Sequence, residues 1–160
     1  MAPFSLMLID DHAGIRQALR RALIDTAELA IVAEASSVGT ALPLVLKTQP
    51  DALVVDFHLP DGNALDVLRG LKQLTPLPLV IVFTSFVSPA LSALCLHHGA
   101  THVFDKSVDL PQLRHSLQEA AQRVAPPQPP VRDLPEPSPR PIGFTPTACE
   151  RTADGHTKEG

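Results

Sequence analysis

Three aspartates directly follow short apolar runs of the kind that form buried strands. Asp10 and Asp11 come after residues 6–9, and Asp56 comes after Ala52–Val55 and before a Pro-Asp-Gly turn signal. The carboxyl ends of the strands in an open parallel sheet meet at one crevice, so we expect these acids to converge there. Two carboxylates about 4 Å apart repel by roughly 4 kcal/mol at an effective dielectric of about 20. The cluster therefore calls for a cation, and hard oxygen ligands favour Mg²⁺.

A hydroxyl and an amine follow two further apolar runs. Thr84 comes at the end of residues 79–83, and Lys106 comes shortly after residues 103 and 104. We expect both side chains to reach the same edge of the sheet as the acids. A carboxylate beside Mg²⁺, with an ammonium and a hydroxyl opposite, can attack phosphorus and hold the resulting phosphoryl group. A plain alternative is that the aspartates at the first strand end cap the next helix, and the two roles are compatible.

The apolar periodicity between these residues predicts five strands that alternate with five helices. The strands are expected near residues 6–9, 29–35, 52–55, 79–83 and 103–104. The helices are expected near residues 15–23, 36–48, 64–74, 88–99 and 109–124, with a late start or a kink at Pro43. Such alternation forms a parallel sheet with right-handed crossovers. The predicted fold is α/β, a (βα)5 doubly wound five-stranded parallel sheet in the order 2-1-3-4-5.

The composition of the 160-residue chain argues against several classes of protein. Its net charge is −4 and its 13 basic residues are scattered, which argues against direct nucleic-acid binding. Cys95 and Cys149 lie far apart, so neither a zinc pattern nor a disulfide framework is indicated. The first apolar run has no basic residue before it, which favours a strand over a signal peptide, and no run is long enough to cross a membrane. The expected location is the cytoplasm.

The character of the chain changes at Pro126. Nine of the 17 prolines lie between Pro126 and Pro146, and no apolar periodicity survives there. Such a segment cannot bury enough apolar surface to offset its chain entropy. We therefore predict a folded domain over residues 1–125 and a proline-rich, disordered tail or linker over residues 126–160.

The chemistry-bearing residues carry a resemblance to a known family. The motifs are Asp-Asp-His at positions 10–12 and Asp-Phe-His-Leu-Pro-Asp-Gly at positions 56–62, followed by Thr84 and Lys106. In order and spacing this set resembles the receiver domain of two-component response regulators, the CheY-like fold. The likeness covers about residues 5–124 and is nearest to the receivers of LuxR/NarL-type regulators.

That resemblance implies a role for each matched acid. Asp56 would be the phosphoacceptor, taking a phosphoryl group from a sensor histidine kinase or a phosphotransfer protein. Mg²⁺ would be bound by the side chains of Asp11 and Asp56 and by the backbone carbonyl of His58, with Asp10 acting mostly through water. The chain would then be a signalling phosphoacceptor that promotes only its own phosphorylation and dephosphorylation.

The resemblance also implies a switch. Lys106 would pair with the phosphoryl group and Thr84 would swing toward it, changing the outer surface of the fourth helix for a downstream protein or a second copy of the chain. Two positions depart from the family pattern. Val103, followed by Phe104, stands where an aromatic is common, and Ser107 stands where proline is common. Because of Val103, the coupling of Thr84 to the outer surface of the fourth helix through an aromatic side chain stays an open question. Neither departure changes a residue that takes part in phosphorylation.

Four histidines have possible functional roles of their own. His58, two residues after the predicted acceptor, is expected to be a solvent-facing gate that modulates the access of water to the phosphoryl group. A general base is the alternative, because the histidine pKa lies near the working pH. His97, His98 and His102 resemble a metal cluster in composition, but the predicted elements place them away from the acids.

Three other functions compete with the phosphoacceptor. One is an interaction module that works without phosphorylation, which Val103 favours. Another is a truncated LuxR-type transcription factor, because residues 143–146 (Gly-Phe-Thr-Pro) resemble the opening of a LuxR-type helix-turn-helix domain. The third is a hydrolase of the haloacid dehalogenase type, but such enzymes need a second acid where His58 stands.

Overall fold

The computed structural model of the protein describes residues 2–124. The proline-rich segment predicted for residues 126–160 lies outside the described residues. In chain order the elements are β1 (Phe4–Ile9), α1 (Ala13–Leu23), β2 (Leu29–Ala35), α2 (Val38–Thr48), β3 (Ala52–Val55), β4 (His58–Leu59), β5 (Gly62–Asn63), α3 (Ala64–Leu71), β6 (Leu79–Thr84), α4 (Pro89–His97), β7 (His102–Asp105) and α5 (Leu110–Val124). Among these, no helix combines the length and the apolar character needed to cross a membrane.

Five of the strands form one parallel sheet. Its strand order is β2-β1-β3-β6-β7, and all four neighbouring pairs run parallel. The two remaining strands, β4 and β5, are two residues long and pair with each other as an antiparallel hairpin outside this sheet. Counting only the strands of the large sheet, the order is 2-1-3-4-5, and the predicted doubly wound fold is confirmed.

The central strands are buried on both faces and divide the core into two halves. One half joins alternate residues of β1 and β3 to α2, α3 and α4 through Met7, Ile9, Leu53, Val55, Ala41, Val45, Leu68 and Cys95. The other joins the intervening residues to α1 and α5 through Leu6, Leu8, Ala52, Val54, Leu19, Leu23, Leu113 and Leu117. Successive strand side chains point to opposite faces, so these short continuous apolar runs suit a sheet covered by helices on both sides.

Local boundaries differ from the predicted ones where side chains cap the helices. Helix α2 begins at Val38 instead of residue 36, because Ser37 is extended and its hydroxyl accepts a hydrogen bond from the Thr40 N–H. Pro43 lies inside this helix without interrupting it. Helix α3 begins directly after Asn63, which forms a capping box with Asp66. The capping box and the short hairpin together fix the loop that follows Asp56.

Asp61 in the turn of this hairpin ties the acid-bearing loop to the start of α2. Its carboxylate accepts hydrogen bonds from the backbone N–H groups of Gly39 (2.8 Å) and Val38 (2.7 Å). These amides lie in the first helical turn, where they have no partner within the helix. The same two hydrogen bonds hold the pKa of Asp61 below its usual value. A Cβ at Gly39 would lie 3.2 Å from this carboxylate, so glycine permits the close approach.

We expect Asp61→Asn to lower the free energy of unfolding at neutral pH. A carboxyl whose pKa is lowered in the folded state contributes stability above its unfolded pKa, here 3.8, and loses it as the pH falls through the lowered value. The difference between wild type and variant should therefore shrink in acid. Urea unfolding midpoints from neutral to acid pH measure it. Asp25→Asn, a change at an exposed acid after α1, is the control, and equal pH dependence in all three proteins would contradict the role of Asp61.

Candidate functional site

The sheet register brings the first two acid-bearing strand ends side by side. Ile9 at the end of β1 pairs with Val55 at the end of β3, so Asp10 and Asp56 follow at the same level. The Asp56 N–H donates to the Ile9 carbonyl at 2.8 Å, and the Asp10 N–H donates to the Ala35 carbonyl at 3.0 Å. Backbone hydrogen bonds thus fix where both carboxylates emerge from the sheet.

The three predicted acids form one cluster. Asp10, Asp11 and Asp56 can each present a carboxylate oxygen so that all three atoms lie within 4.8 Å of one another. Asp10 and Asp56 are buried, whereas Asp11 is exposed. Hard, anionic oxygen donors with one open side suit a small divalent cation that keeps part of its water shell. The donor set therefore fits the predicted Mg²⁺, with Asp11 on the side from which a cation can enter.

Lys106 reaches the cluster from the next pair of strand ends. Its backbone N–H donates to the carbonyl of Thr84 at 3.0 Å, which holds the residue after β7 beside the end of β6. Its Nζ lies 2.5 Å from Asp10 Oδ2 and 3.0 Å from Asp56 Oδ2. The lysine side chain is only 12% exposed. One largely buried ammonium therefore bridges two buried carboxylates.

The pKa of Asp56 indicates that the Lys106 ammonium only partly compensates the buried charge of this carboxylate. Burial raises the pKa of Asp56, the hydrogen bond and the charge of Lys106 lower it, and the neighbouring Asp10 raises it again. The net direction is upward. Because a carboxyl with a raised pKa is one whose ionised form is under-stabilised, an added cation would favour the ionised form.

Thr84 lies fully buried at the end of β6, next to a small cavity. The cavity has a volume of about 180 Å³, and its lining residues are Asp56, His58, Thr84, Ser85 and Phe86. The Thr84 hydroxyl oxygen accepts a long hydrogen bond, 3.4 Å, from the Phe86 N–H. The acid, the hydroxyl and the predicted gate histidine therefore share one space. It is large enough for a small tetrahedral group.

Two aromatic rings beside His58 were not predicted as part of the site. The His58 ring lies edge-on to Phe57, with centroids 5.1 Å apart, and edge-on to Phe86, with centroids 6.0 Å apart. Phe86 is 73% exposed, which is unusual for so large an apolar side chain. Its position two residues after Thr84, matching that of His58 after Asp56, is the sequence signal that could have indicated it.

Arg16 is a further supporting residue that the sequence patterns did not indicate. Its guanidinium donates to the backbone carbonyl of Asp10 and, through Nε, to Glu34 Oε2 at 3.2 Å. Burial acts to raise the pKa of Glu34, but hydrogen bonds from Arg20 and Arg16 outweigh it and hold the pKa below its usual value. The arginine therefore links α1 and β2 to the strand end that carries the first two acids.

The other histidines do not join the acids. Within residues 2–124, the aspartate cluster is the group of acids, histidines and cysteines whose ligand atoms could share a metal ion. His97 and His98 contact each other edge-on at 5.6 Å, and His102 stacks on Phe104 at 5.3 Å. The expectation that these three histidines lie apart from the acids is therefore consistent with the structure.

Val103 and Phe104 lie on opposite faces of β7. Val103 packs against the core half that contains α4, whereas Phe104 packs against the half that contains α1 and α5. Successive residues of a strand must point to opposite faces, so Phe104 cannot replace an aromatic at position 103. The side of the sheet that connects Thr84 to α4 therefore has an aliphatic residue at this position.

Comparison with protein families finds one match that covers most of the described domain. The model described as "Response regulator receiver domain" matches residues 6–118. Among curated proteins, the chain is 31% identical over 114 residues to the "DNA-binding transcriptional activator DevR/DosR" of Mycobacterium tuberculosis, a match that covers 71% of this chain and 52% of that protein. It is 29% identical over 123 residues to the "Photosynthetic apparatus regulatory protein RegA" of Rhodobacter capsulatus, covering 77% of this chain and 66% of that protein.

Solved structures agree with this match. A two-component response regulator of the LuxR family from Aurantimonas sp. is similar with a TM-score of 0.71 and 28% identity, over 76% of this chain and 87% of that chain. The signal receiver domain of a NarL-type regulator from Mycobacterium tuberculosis is similar with a TM-score of 0.69, over 76% of this chain and 98% of that chain. At 23% identity, the second likeness supports the fold alone. The chain spans about half to two thirds of the length of the curated relatives described above.

Proposed function

This chain belongs to the response regulator receiver domain family, and on that basis we propose that Asp56 accepts a phosphoryl group in a Mg²⁺-dependent reaction. The donor would be a sensor histidine kinase or a phosphotransfer protein, and the product would signal to a protein partner. The observation that carries the proposal is the meeting of three carboxylates and the Lys106 ammonium at one edge of the sheet. The role is that of a signalling phosphoacceptor in the cytoplasm.

The metal would be held by the side chains of Asp11 and Asp56 and the backbone carbonyl of His58, with Asp10 acting mostly through water. When bound, Mg²⁺ supplies positive charge that keeps Asp56 ionised and offsets the charge of the incoming phosphoryl group. Exposure of Asp11 at the rim and burial of Asp10 behind it support this division of roles.

The transfer itself needs few protein groups. An ionised oxygen of Asp56 would attack phosphorus, forming a P–O bond as the P–N bond to the donor's imidazole breaks and the imidazole takes up a proton. Lys106 Nζ already contacts Asp56 Oδ2 at 3.0 Å, so a small movement would let it donate to a phosphoryl oxygen. Its second contact, to Asp10 Oδ2, holds the ammonium next to Asp56.

The signal would begin at Thr84. Its hydroxyl oxygen accepts from the Phe86 N–H, so rotation toward the phosphoryl group would break that contact and free residues 85–88, which lead into α4. The phosphoryl group adds a charge of about −1.5 to −2, which supplies the driving force. Val103 stands where the family commonly has an aromatic. The hydrogen bond between Thr84 and Phe86 therefore favours movement of this loop as the route from Thr84 to α4.

We expect the full chain to take up phosphate from acetyl phosphate in an alkali-labile acyl linkage only when Mg²⁺ is present, and excess EDTA to abolish the uptake. Asp11→Asn should slow the reaction by about tenfold or more at limiting Mg²⁺, since even indirect supports of metal ligands are worth roughly 10-fold to 100-fold. Labelled donor and gel autoradiography measure the uptake. Asp25→Asn is the matched control. Uptake that is unchanged in excess EDTA would refute the proposed metal dependence.

We expect removal of the rings over the cavity to shorten the lifetime of the phosphoryl group. His58→Ala and Phe86→Ala each open the space beside Asp56 and Thr84, so water reaches phosphorus more easily and hydrolysis should accelerate severalfold. The measurement is decay of the label after the donor is removed. His102→Ala, which removes a remote exposed ring, should decay like wild type. Unchanged or slower decay of the label in both variants would contradict the role of His58 and Phe86 in limiting the access of water.

A second candidate function takes its support from the relatives. DevR/DosR is described as a DNA-binding transcriptional activator, and the Aurantimonas structure is a LuxR-family regulator. We propose as the alternative that this receiver belongs to a LuxR-type transcription factor, because residues 143–146 resemble the start of a LuxR-type helix-turn-helix domain. Those residues lie outside the described part of the chain. Reading the genomic DNA downstream of the codon for Gly160 tests this alternative.

A further inference from the structure

The backbone of Asp10 is held by hydrogen bonds on both sides. Its N–H donates to the Ala35 carbonyl at the end of β2, at 3.0 Å. Its carbonyl accepts a hydrogen bond from the Arg16 guanidinium, near the start of α1. A peptide unit is planar, so holding this carbonyl also fixes the N–H of Asp11 and the direction in which the chain continues. Arg16 therefore acts on the backbone that carries both acids.

Asp11 depends on this backbone more than Asp10 does. The side-chain oxygens of Asp10 are held by the His12 N–H at 2.8 Å and by Lys106 Nζ at 2.5 Å. Asp11 is exposed, and within residues 2–124 its carboxylate makes no comparable contact. The position of the Asp11 carboxylate is therefore set by the peptide that precedes it.

Arg16 is itself held in place by a second contact. Its Nε donates to Glu34 Oε2 at 3.2 Å, while its Nη1 donates to the Asp10 carbonyl. The side chains of Arg16 and Glu34 are only 18% and 27% exposed. A planar guanidinium presents its donors in a fixed fork, so the contact with Glu34 on β2 sets the direction from which the group reaches Asp10. A lysine offers one compact ammonium and cannot reproduce this pair of contacts.

Arg20 provides an internal comparison. Its guanidinium also donates to Glu34, through Nε to Oε1 at 3.0 Å. Within residues 2–124, it is Arg16 and not Arg20 that donates to Asp10. The two arginines share one acid and carry the same charge. A difference between matched substitutions at the two positions therefore reports the contact with the Asp10 carbonyl.

We propose that Arg16 is a positioning residue for the metal site, which holds the Asp10 carbonyl so that the Asp11 carboxylate faces a bound Mg²⁺. This inference rests on the proposed function, because it assumes a metal at the aspartate cluster. Charge and geometry predict opposite results when Arg16 is replaced. Removal of a guanidinium near three carboxylates should favour a bound cation, whereas release of the peptide should weaken its binding.

The test measures Mg²⁺ binding to the full chain by isothermal titration calorimetry, without a phosphoryl donor. Arg16→Gln should raise the dissociation constant about tenfold, because groups that orient metal ligands are worth roughly 10-fold to 100-fold in affinity. Arg20→Gln should leave the dissociation constant unchanged or lower it by less than about fivefold. Arg16→Lys keeps the charge but loses the fork, so it should bind Mg²⁺ more weakly than its matched control, Arg20→Lys.

Phosphate uptake gives a second readout. Arg16→Gln should need about tenfold more Mg²⁺ than wild type for half-maximal uptake from acetyl phosphate. At saturating Mg²⁺ its rate should lie within about twofold of the wild-type rate, because the reacting groups are unchanged. A merely structural role would lower the urea unfolding midpoint without changing the Mg²⁺ concentration needed for half-maximal uptake.

Several outcomes would overturn the positioning role. Mg²⁺ binding by Arg16→Gln as tight as by Arg20→Gln would refute this inference alone, since binding by wild type would still stand. A lower maximal rate with an unchanged Mg²⁺ requirement would refute it as well. Wild type that binds no Mg²⁺ would refute both the proposed metal dependence and this inference. If circular dichroism shows that Arg16→Gln does not fold, equal dissociation constants for Arg16→Lys and Arg20→Lys would refute the role.

Discussion

Asp56→Asn is expected to take up no phosphoryl group from acetyl phosphate under conditions in which wild type is labelled. The amide oxygen is not a charged nucleophile, and the substitution keeps the size and shape of the side chain at the end of β3. It also removes a buried carboxylate whose pKa is raised by burial and, to a smaller extent, by repulsion from Asp10. The variant should therefore fold at least as well as wild type, so loss of label would reflect chemistry and not unfolding.

The controls separate the acceptor from its neighbours. Asp25→Asn should label as wild type does, and circular dichroism should report an intact fold for both variants. Label on Asp56→Asn equal to that on wild type would show that another residue is the acceptor. Partner binding that is the same for wild type, labelled or not, and for Asp56→Asn would favour the interaction module that works without phosphorylation.

Lys106→Met is expected to produce the largest loss of stability among single changes at the site. The ammonium contacts Asp10 and Asp56, and all three side chains are at most 12% exposed. Removing one partner of a buried ion pair costs about 3 kcal/mol or more, because a buried charge is left without compensation. Here two carboxylates lose their shared partner. Urea unfolding at neutral pH without added metal should show the loss.

Mg²⁺ should distinguish this electrostatic loss from lost packing. The cation would occupy the same carboxylates that Lys106 neutralises, so it should stabilise Lys106→Met more than it stabilises wild type. Lys72→Met, which removes an exposed lysine after α3, should change stability little with or without the metal. Equal unfolding midpoints for the two variants, or no recovery with Mg²⁺, would contradict the role assigned to the ammonium.

The order of the strands and the positions of the acids could be predicted because both depend on local pattern. Apolar runs that end in Asp10 or Asp56 mark buried strands and their carboxyl ends, and such ends meet at one edge in any doubly wound sheet. The same reasoning placed Thr84 and Lys106 at that edge. The small hairpin of β4 and β5 was missed because strands of two residues leave no periodicity to detect.

The sequence alone determined the fold class, the edge of the sheet where chemistry is possible and the residues that meet there, because strand periodicity and chain order act over short distances. Only the tertiary structure decided that Lys106 contacts both Asp10 and Asp56, that Asp61 holds the start of α2, and that Phe86 lies beside His58. Each of these contacts joins residues that lie far apart in the chain. Their distances depend on how helices and turns pack against the sheet. Local sequence patterns do not predict that packing.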